Sequence, residues 1–173
     1  MTETAFRLGV LARRRPPANR WSRGSLTPSA VLSPAPPLPP RSRVSAEGGV
    51  EVWYLDAAEL LLHPGDAGHY RDNLASGRPA LWVALDGAAS ETARIRAVTA
   101  DPYEGEGLAG DVALVVEAVE MPAALLAPIG AFVAAHFVEI PFKKRKRRPA
   151  DPNALSARAP RILQPDQKWG PRR

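Results

Sequence analysis

Residues 112–148 read VALVVEAVEMPAALLAPIGAFVAAHFVEIPFKKRKRR, and three kinds of segment follow one another within them. Residues 112–119 are an apolar, β-branched run of strand length, apolar enough to suit the centre of a sheet. Pro122 then suits the first position of a helix, where its missing N–H costs nothing. Leu125, Ile129, Phe132 with Val133, and His136 with Phe137 recur at spacings of three and four, which puts one apolar stripe along that helix. Pro128 predicts a kink or a late start, and Pro141 an end. Lys143, Lys144, Arg145, Lys146, Arg147 and Arg148 then open a cationic tail. A strand, a closing helix and a solvated arm, in that order, place the end of the folded body near residue 142.

Upstream, the pattern is of short strands separated by turn signals. Residues 6–14 alternate Phe6, Leu8 and Val10 against Arg7 and Gly9, and a second strand is expected within 21–32. The proline-rich stretch 33–49, SPAPPLPPRSRVSAEGG, lacks the N–H groups for a ladder and reads as a linker or long exposed loop. Strands are expected at 50–55, 59–63, 80–85 and 93–100, where Ile95 and Val98 do not share one alternation and suggest a bulge. Pro64-Gly65-Asp66 opens a short helix over 69–76 that Gly77 and Pro79 terminate, and residues 101–104 read as a turn or one helical turn. The fold class is therefore α+β. It comprises an antiparallel sheet or half-barrel of about six to seven short strands, one small inserted helix and a closing C-terminal helix. The regions are N-terminal strands with basic character (1–32), the proline-rich segment (33–49), the main body (50–142) and a basic tail expected to be disordered (143–173).

Charge divides the same way. The formal net charge is +5 over 173 residues. Residues 1–43 carry eight Arg and one Glu, residues 44–141 four Arg against fifteen acids, and residues 142–173 eleven Lys or Arg against two Asp. The body is acidic and the ends are basic, which argues against a nucleic-acid-binding domain and for arms that meet a polyanion, an acidic protein surface or the body itself. The basic run carries no interleaved aromatics, so it has no means of reading a base sequence. Zero cysteines exclude disulfides, thiolate metal sites and thiol catalysis. The N-terminus has charges after its short apolar stretch rather than before it, unlike a secretory signal, and a cytoplasmic location is expected. Residues 121–138 are uncharged but alanine-rich and interrupted by Pro122, Pro128, Gly130 and His136, which suits a core helix better than a membrane span.

Candidate chemistry is sparse. His63, Asp66 and His69, with Tyr70 and Asp72, form the densest group of metal-ligand type, yet no HExxH pair is present. Asp66 is also accounted for as the N-cap of the short helix. Tyr70, Asn73 and Ser76, with Arg71 and Arg78, suit either a ligand-binding face or local packing in which Asn73 ties a loop. Asp101, Glu104, Glu106 and Asp111 do not match a calcium loop and read as acids facing water. Gly105, Gly107 and Gly110 lie in an acidic loop that would repel phosphate, His136 reads as a core histidine, and Trp53, Trp82 and Phe132 read as core. No Ser/His/Asp arrangement stands out. No catalytic residue, cofactor or resident metal is expected.

The opening LGVLARRR with Trp21, the central ELLLHPGDAGHYRDNLASGRPALWVAL, the turn TADPYEGE and the closing VEMPAALLAPIGAFVAAHFVEIPFKKRKR, taken in order, resemble a small proteobacterial family of unknown function. Its members are often encoded beside molybdenum-dependent formate dehydrogenase subunits and their maturation factors. The resemblance spans residues 5–148, with the proline-rich segment as a departure. The positions most typical of its pattern fall on His63, Tyr70, Asn73, Leu74, Ser76, Pro79, Pro102, Tyr103, Glu104, Pro122, His136 and Pro141. The resemblance implies a non-catalytic accessory protein that assembles, stabilises or regulates a formate dehydrogenase or another molybdoenzyme, its partner being a subunit or maturation factor. The expected contact residues are His63, Tyr70, Asn73, Tyr103, Glu104 and the run Lys143 to Arg148. Two alternatives stand beside it: a polyanion-binding module that uses the basic termini, and a small metal-dependent enzyme around His63 and His69.

Overall fold

Alternation of Phe6, Leu8, Val10 and Ala12 with Arg7, Gly9 and Leu11 builds the first strand, β1 (Thr4–Arg14), in the computed structural model, which describes residues 4–14, 25–87 and 93–139. The chain divides into Met1–Val138 and Glu139–Arg173, and the first unit holds every helix and strand described below. The basic run 143–148, Pro141 and Trp21 lie outside the described residues.

Two antiparallel partners flank β1. On one side runs β2 (Leu26–Leu32), with Gly9 opposite Leu32 and Arg14 opposite Leu26. The other side takes β4 (Val50–Leu62), and β3 (Ser42–Glu47) pairs with the far edge of β4, giving the order β2-β1-β4-β3. The two strands expected at 50–55 and 59–63 are one. The register steps from Val10 opposite Asp56 to Leu11 opposite Tyr54, so Leu55 is an extra residue. The polar break at Asp56 is thus a bulge, which bends a strand without ending it.

The proline-rich stretch differs along its length. Its first half is laid across β1: the Ala35 N–H donates to the Arg7 carbonyl at 3.1 Å. Pro36 sits over Gly9, where a Cβ would come within 2.6 Å of Pro36 Cδ and 3.0 Å of Tyr54 Cε2. Beyond Pro40 the chain again has an N–H at every residue, and Ser42–Glu47 forms β3 where a loop or linker was expected. The β3–β4 hairpin closes at Gly48 and Gly49, both at positive φ.

The second sheet has β5 (Ala80–Asp86) between β6 (Arg94–Thr99) and β7 (Leu114–Glu120). The apolar run expected to be central is therefore an edge, and β5, with Leu81, Val83, Ala84 and Leu85 buried, is the middle strand. The reason is topological: among the described residues β7 pairs with β5 alone and lies beside β2 without a ladder, so Val115 and Val116 remain half-exposed while Val119 is buried. Ala84 faces Ala97 and Leu85 faces Ile95, which leaves Arg96 as the extra residue of a bulge. That is why Ile95 and Val98 do not share an alternation.

β2 adjoins β7, and β4 adjoins β6. At the second seam the Arg41 Nη2 donates to the Ala93 carbonyl at 2.7 Å. Among the described residues no backbone ladder joins the two sheets, so the architecture is α+β with an unclosed barrel. Leu8, Val10, Leu60, Leu62, Leu81, Val83 and Leu85 fill one core. The closing helix α3 (Ala123–His136) adds Leu125, Ile129, Phe132 and Val133, the stripe read from its spacing. At roughly 1.5–3 kcal/mol for each buried side chain, this face outweighs a helix propensity lowered by Pro128. Pro122 is the N-cap rather than the first helical residue, and the helix stops at His136, where Phe137 turns extended. Among the described residues no helix is long and apolar enough to cross a membrane.

Candidate functional site

Two helix starts meet at one end of the body. The 3-10 turn Pro64–Asp66 leads into α1 (Ala67–Ala75), and the end of β6 leads through Asp101 into α2 (Pro102–Ala109). The segment expected to be a turn or loop is a helix of eight residues that takes in Gly105 and Gly107. Its start is well specified. Asp101 is the N-cap and its Oδ1 accepts the Tyr103 N–H at 2.8 Å, while Pro102 occupies the first helical position. Gly105 is buried against the Trp82 ring, which explains a residue that helices otherwise disfavour.

Asp101 is the centre of the site. Its backbone N–H donates to Thr99 Oγ1 at 3.1 Å, and its Oδ2 lies 2.8 Å from His69 Nδ1. The Asp101 side chain is 9% exposed and that of His69 40%. The His69 ring packs on Tyr103, with centroids 4.6 Å apart and planes at 55°. Asp66 completes the group: one ligand atom each from Asp66, His69 and Asp101 lie within 4.8 Å of one another. Asp66 occupies the N-cap position of α1 as expected, but its side chain makes no capping bond. The sequence grouped His69 with His63; the structure groups it with Asp101 instead. His63 is exposed, and its backbone N–H donates to the Tyr70 hydroxyl at 3.1 Å. Asp101 is buried rather than facing water because capping α2 turns it inward, whereas Glu104, Glu106 and Asp111 are exposed.

The remaining candidates divide by burial. Tyr70 is buried, edge-on to Phe132 at 6.1 Å. Asn73, 4% exposed, donates from Nδ2 to the Ala80 and Ala100 carbonyls, both at 2.8 Å, and accepts the Ala80 N–H at 3.0 Å. Leu74 is half-buried against the core, and Ser76 Oγ accepts the Arg78 N–H. His136 is half-buried with its ring 4.4 Å from Phe132. Tyr103 and Glu104 face solvent on the first turn of α2, Tyr103 being 61% exposed. Nearby, Arg71 bonds Asp72 and stacks 4.2 Å over Phe137. Thr99 and Trp82 support the site without any local signal in the sequence. Two open clefts lie at the sheet seams. One, of about 440 Å³, is lined by Arg13, Thr27, Glu117 and Glu120; the other, of about 400 Å³, by Arg41, Asp56, Ala93 and Arg94. Neither includes the His69 group.

Burial raises the Tyr70 hydroxyl above its ordinary pKa of 10.0, and the carboxylates of Asp66, Asp101 and Glu104 push the same way against the His63 N–H. A raised acid is neutral in the fold. Its stabilising contribution is complete below pH 10 and is lost as pH rises through the folded value. Stability is therefore expected to fall above about pH 10. Tyr70→Phe should flatten part of that fall, since Tyr54 is likewise raised by burial, and should cost about 1 kcal/mol at neutral pH through loss of the bond between the His63 N–H and the Tyr70 hydroxyl. Urea titrations across the alkaline range would show it; an unaltered alkaline slope would refute the assignment.

An open, two-sheet α+β body in which two helix starts gather an Asp–His–Tyr cluster is the class of protein these features define. The chain belongs to the family described as Protein of unknown function (DUF3305), which matches residues 7–146. No curated protein and no solved structure matches it.

Proposed function

We propose that this protein is a non-catalytic accessory factor that docks on a protein partner, and that the partner is a formate dehydrogenase or other molybdoenzyme, or one of its maturation factors. The observation that carries the docking is the exposed Tyr103 ring, held in place by His69, which Asp101 holds in turn. An exposed aromatic that is already fixed loses little conformational freedom on binding, which is the character of an interface anchor. Glu104 beside it and the acidic character of residues 44–141 favour a partner surface that presents cations. The choice of a molybdoenzyme rests on the sequence resemblance and its genomic association. A tagged chain used as bait in native cells is expected to retain a molybdoenzyme subunit or maturation factor. Tyr103→Ala should weaken that retention about tenfold while leaving the melting temperature unchanged. Deletion of the gene should lower formate oxidation. Recovery of no such partner under expressing conditions would defeat the proposal.

A further inference from the structure

We propose that Asp66, His69 and Asp101 form a binding site for a divalent transition metal. Their ligand atoms lie within 4.8 Å of one another, and His69 Nδ1 stands 2.8 Å from Asp101 Oδ2. Ligands held about 2.1 Å from a tetrahedral metal stand about 3.4 Å apart, so rotations of Asp66 and His69 bring three of the four ligand positions into place. The metal takes the place of the hydrogen bond between Nδ1 and Oδ2: Nδ1 coordinates through its lone pair with the ring proton on Nε2, and any second ring proton is released to solvent.

Two further observations point to a cation. Asp66 and Asp101 are carboxylates brought close together, Asp101 is nine-tenths buried, and among the described residues no Lys or Arg bonds either of them. Asp101 is already matched by the His69 ring and by the N-terminus of α2, so the charge left to be met is that of Asp66, and a cation bridging the two carboxylates meets it. In addition, the Asp66 carboxylate is not spent on its own helix: it stands at the N-cap of α1, where such a side chain ordinarily accepts a backbone N–H, and makes no such bond. An imidazole in the set favours zinc, copper, iron or nickel over magnesium or calcium, and the two carboxylates also suit manganese. Three protein ligands leave a position for water, and the half-open His69 gives the ion access.

The site shares His69 and Asp101 with the Tyr103 contact, but metal binding is measured without any partner. The full-length protein, stripped with EDTA and dialysed, is titrated calorimetrically with zinc chloride and, separately, manganese chloride, with bound metal measured by elemental analysis. One metal per chain and a raised melting temperature are expected for at least one of the two ions. Asp66→Asn, which removes no bond of the fold, and His69→Ala should each weaken binding at least tenfold. His63→Ala should leave it unchanged. Substoichiometric metal in the wild type, or stoichiometric metal that survives both Asp66→Asn and His69→Ala, would overturn the assignment. Loss of partner capture with metal binding intact would count against the docking reading alone.

Discussion

Gly105→Ala is expected to lower stability by about 3 kcal/mol, although alanine is the better helix former of the two. The added methyl would stand 2.2 Å from Trp82 Cγ, 2.4 Å from Cδ1 and 2.6 Å from Cδ2. Those atoms belong to the rigid indole of a residue whose backbone is paired on both sides in β5, so neither the ring nor the strand can yield cheaply. The alternative is for α2 to back away from the sheet, which pulls Asp101 and its cap with it. Gly107, two residues on in the same helix, is the control. Nothing stands within 4 Å of a Cβ there, and Gly107→Ala should stabilise by up to about 1 kcal/mol. Urea midpoints with unchanged slopes would report both values. In the double variant Gly105→Ala with Trp82→Ala, the loss should be well below the sum of the singles, because the clash disappears with the ring. Equal shifts for the two glycine variants would mean that helix propensity, not the Trp82 contact, governs this turn.

The same contact shows what the sequence conceals. Leu125, Ile129, Phe132 and Val133 declare α3 through their own spacing, and the structure buries all four. Phe6, Leu8 and Val10 likewise announce β1. α2 has no such signature, since Gly105 and Gly107 speak for a loop until Trp82, supplied from another strand, is seen to fill the place of the missing side chain. The misplacement of β7 has a related origin. Composition records how apolar a strand is, while its rank in the sheet depends on which strands the chain delivers beside it, and here β5 receives both neighbours.

The candidate site was legible only in halves. His69 and Asp66 stand out as a local group of metal-ligand type, while Asp101 reads only as an acid in the turn before Pro102. Their meeting depends on α1 being held against the end of β6, which no spacing encodes. Local rules also assigned Asp66 a capping bond it does not make, and they paired His69 with the nearer histidine rather than with an aspartate 32 positions away. Tyr103, by contrast, could be singled out by resemblance but not by geometry, since its exposed ring is fixed only by the histidine that this fold delivers.

Asn73 supplies that hold, and Asn73→Ala is expected to cost about 3 kcal/mol, roughly 1 kcal/mol for each of three hydrogen bonds made by this buried side chain. The side chain spends both N–H donors on the Ala80 and Ala100 carbonyls and its oxygen on the Ala80 N–H, tying α1 to the start of β5 and the end of β6 at once. Asn73→Asp keeps the shape but reverses two of the three contacts, facing a buried carboxylate with two carbonyl oxygens. It should therefore be worse than alanine at neutral pH. The pH dependence follows with a definite sign. Burial and the two carbonyls raise the folded pKa of the introduced carboxyl, so the neutral acid, which regains one donor, restores stability as pH falls, and that gain is lost as pH rises through the folded value. Since Ala100 immediately precedes Asp101, an Asn73→Ala chain that still folds should also let His69 and Asp101 separate, and its metal affinity should drop although no ligand has been changed. Unfolding midpoints from pH 4 to 8 for both variants, with zinc titrations of the alanine form, test the chain of cause from amide to site. An Asn73→Asp variant as stable as the wild type at neutral pH would break it at the first link, and a folded Asn73→Ala variant with undiminished zinc affinity would break it at the last.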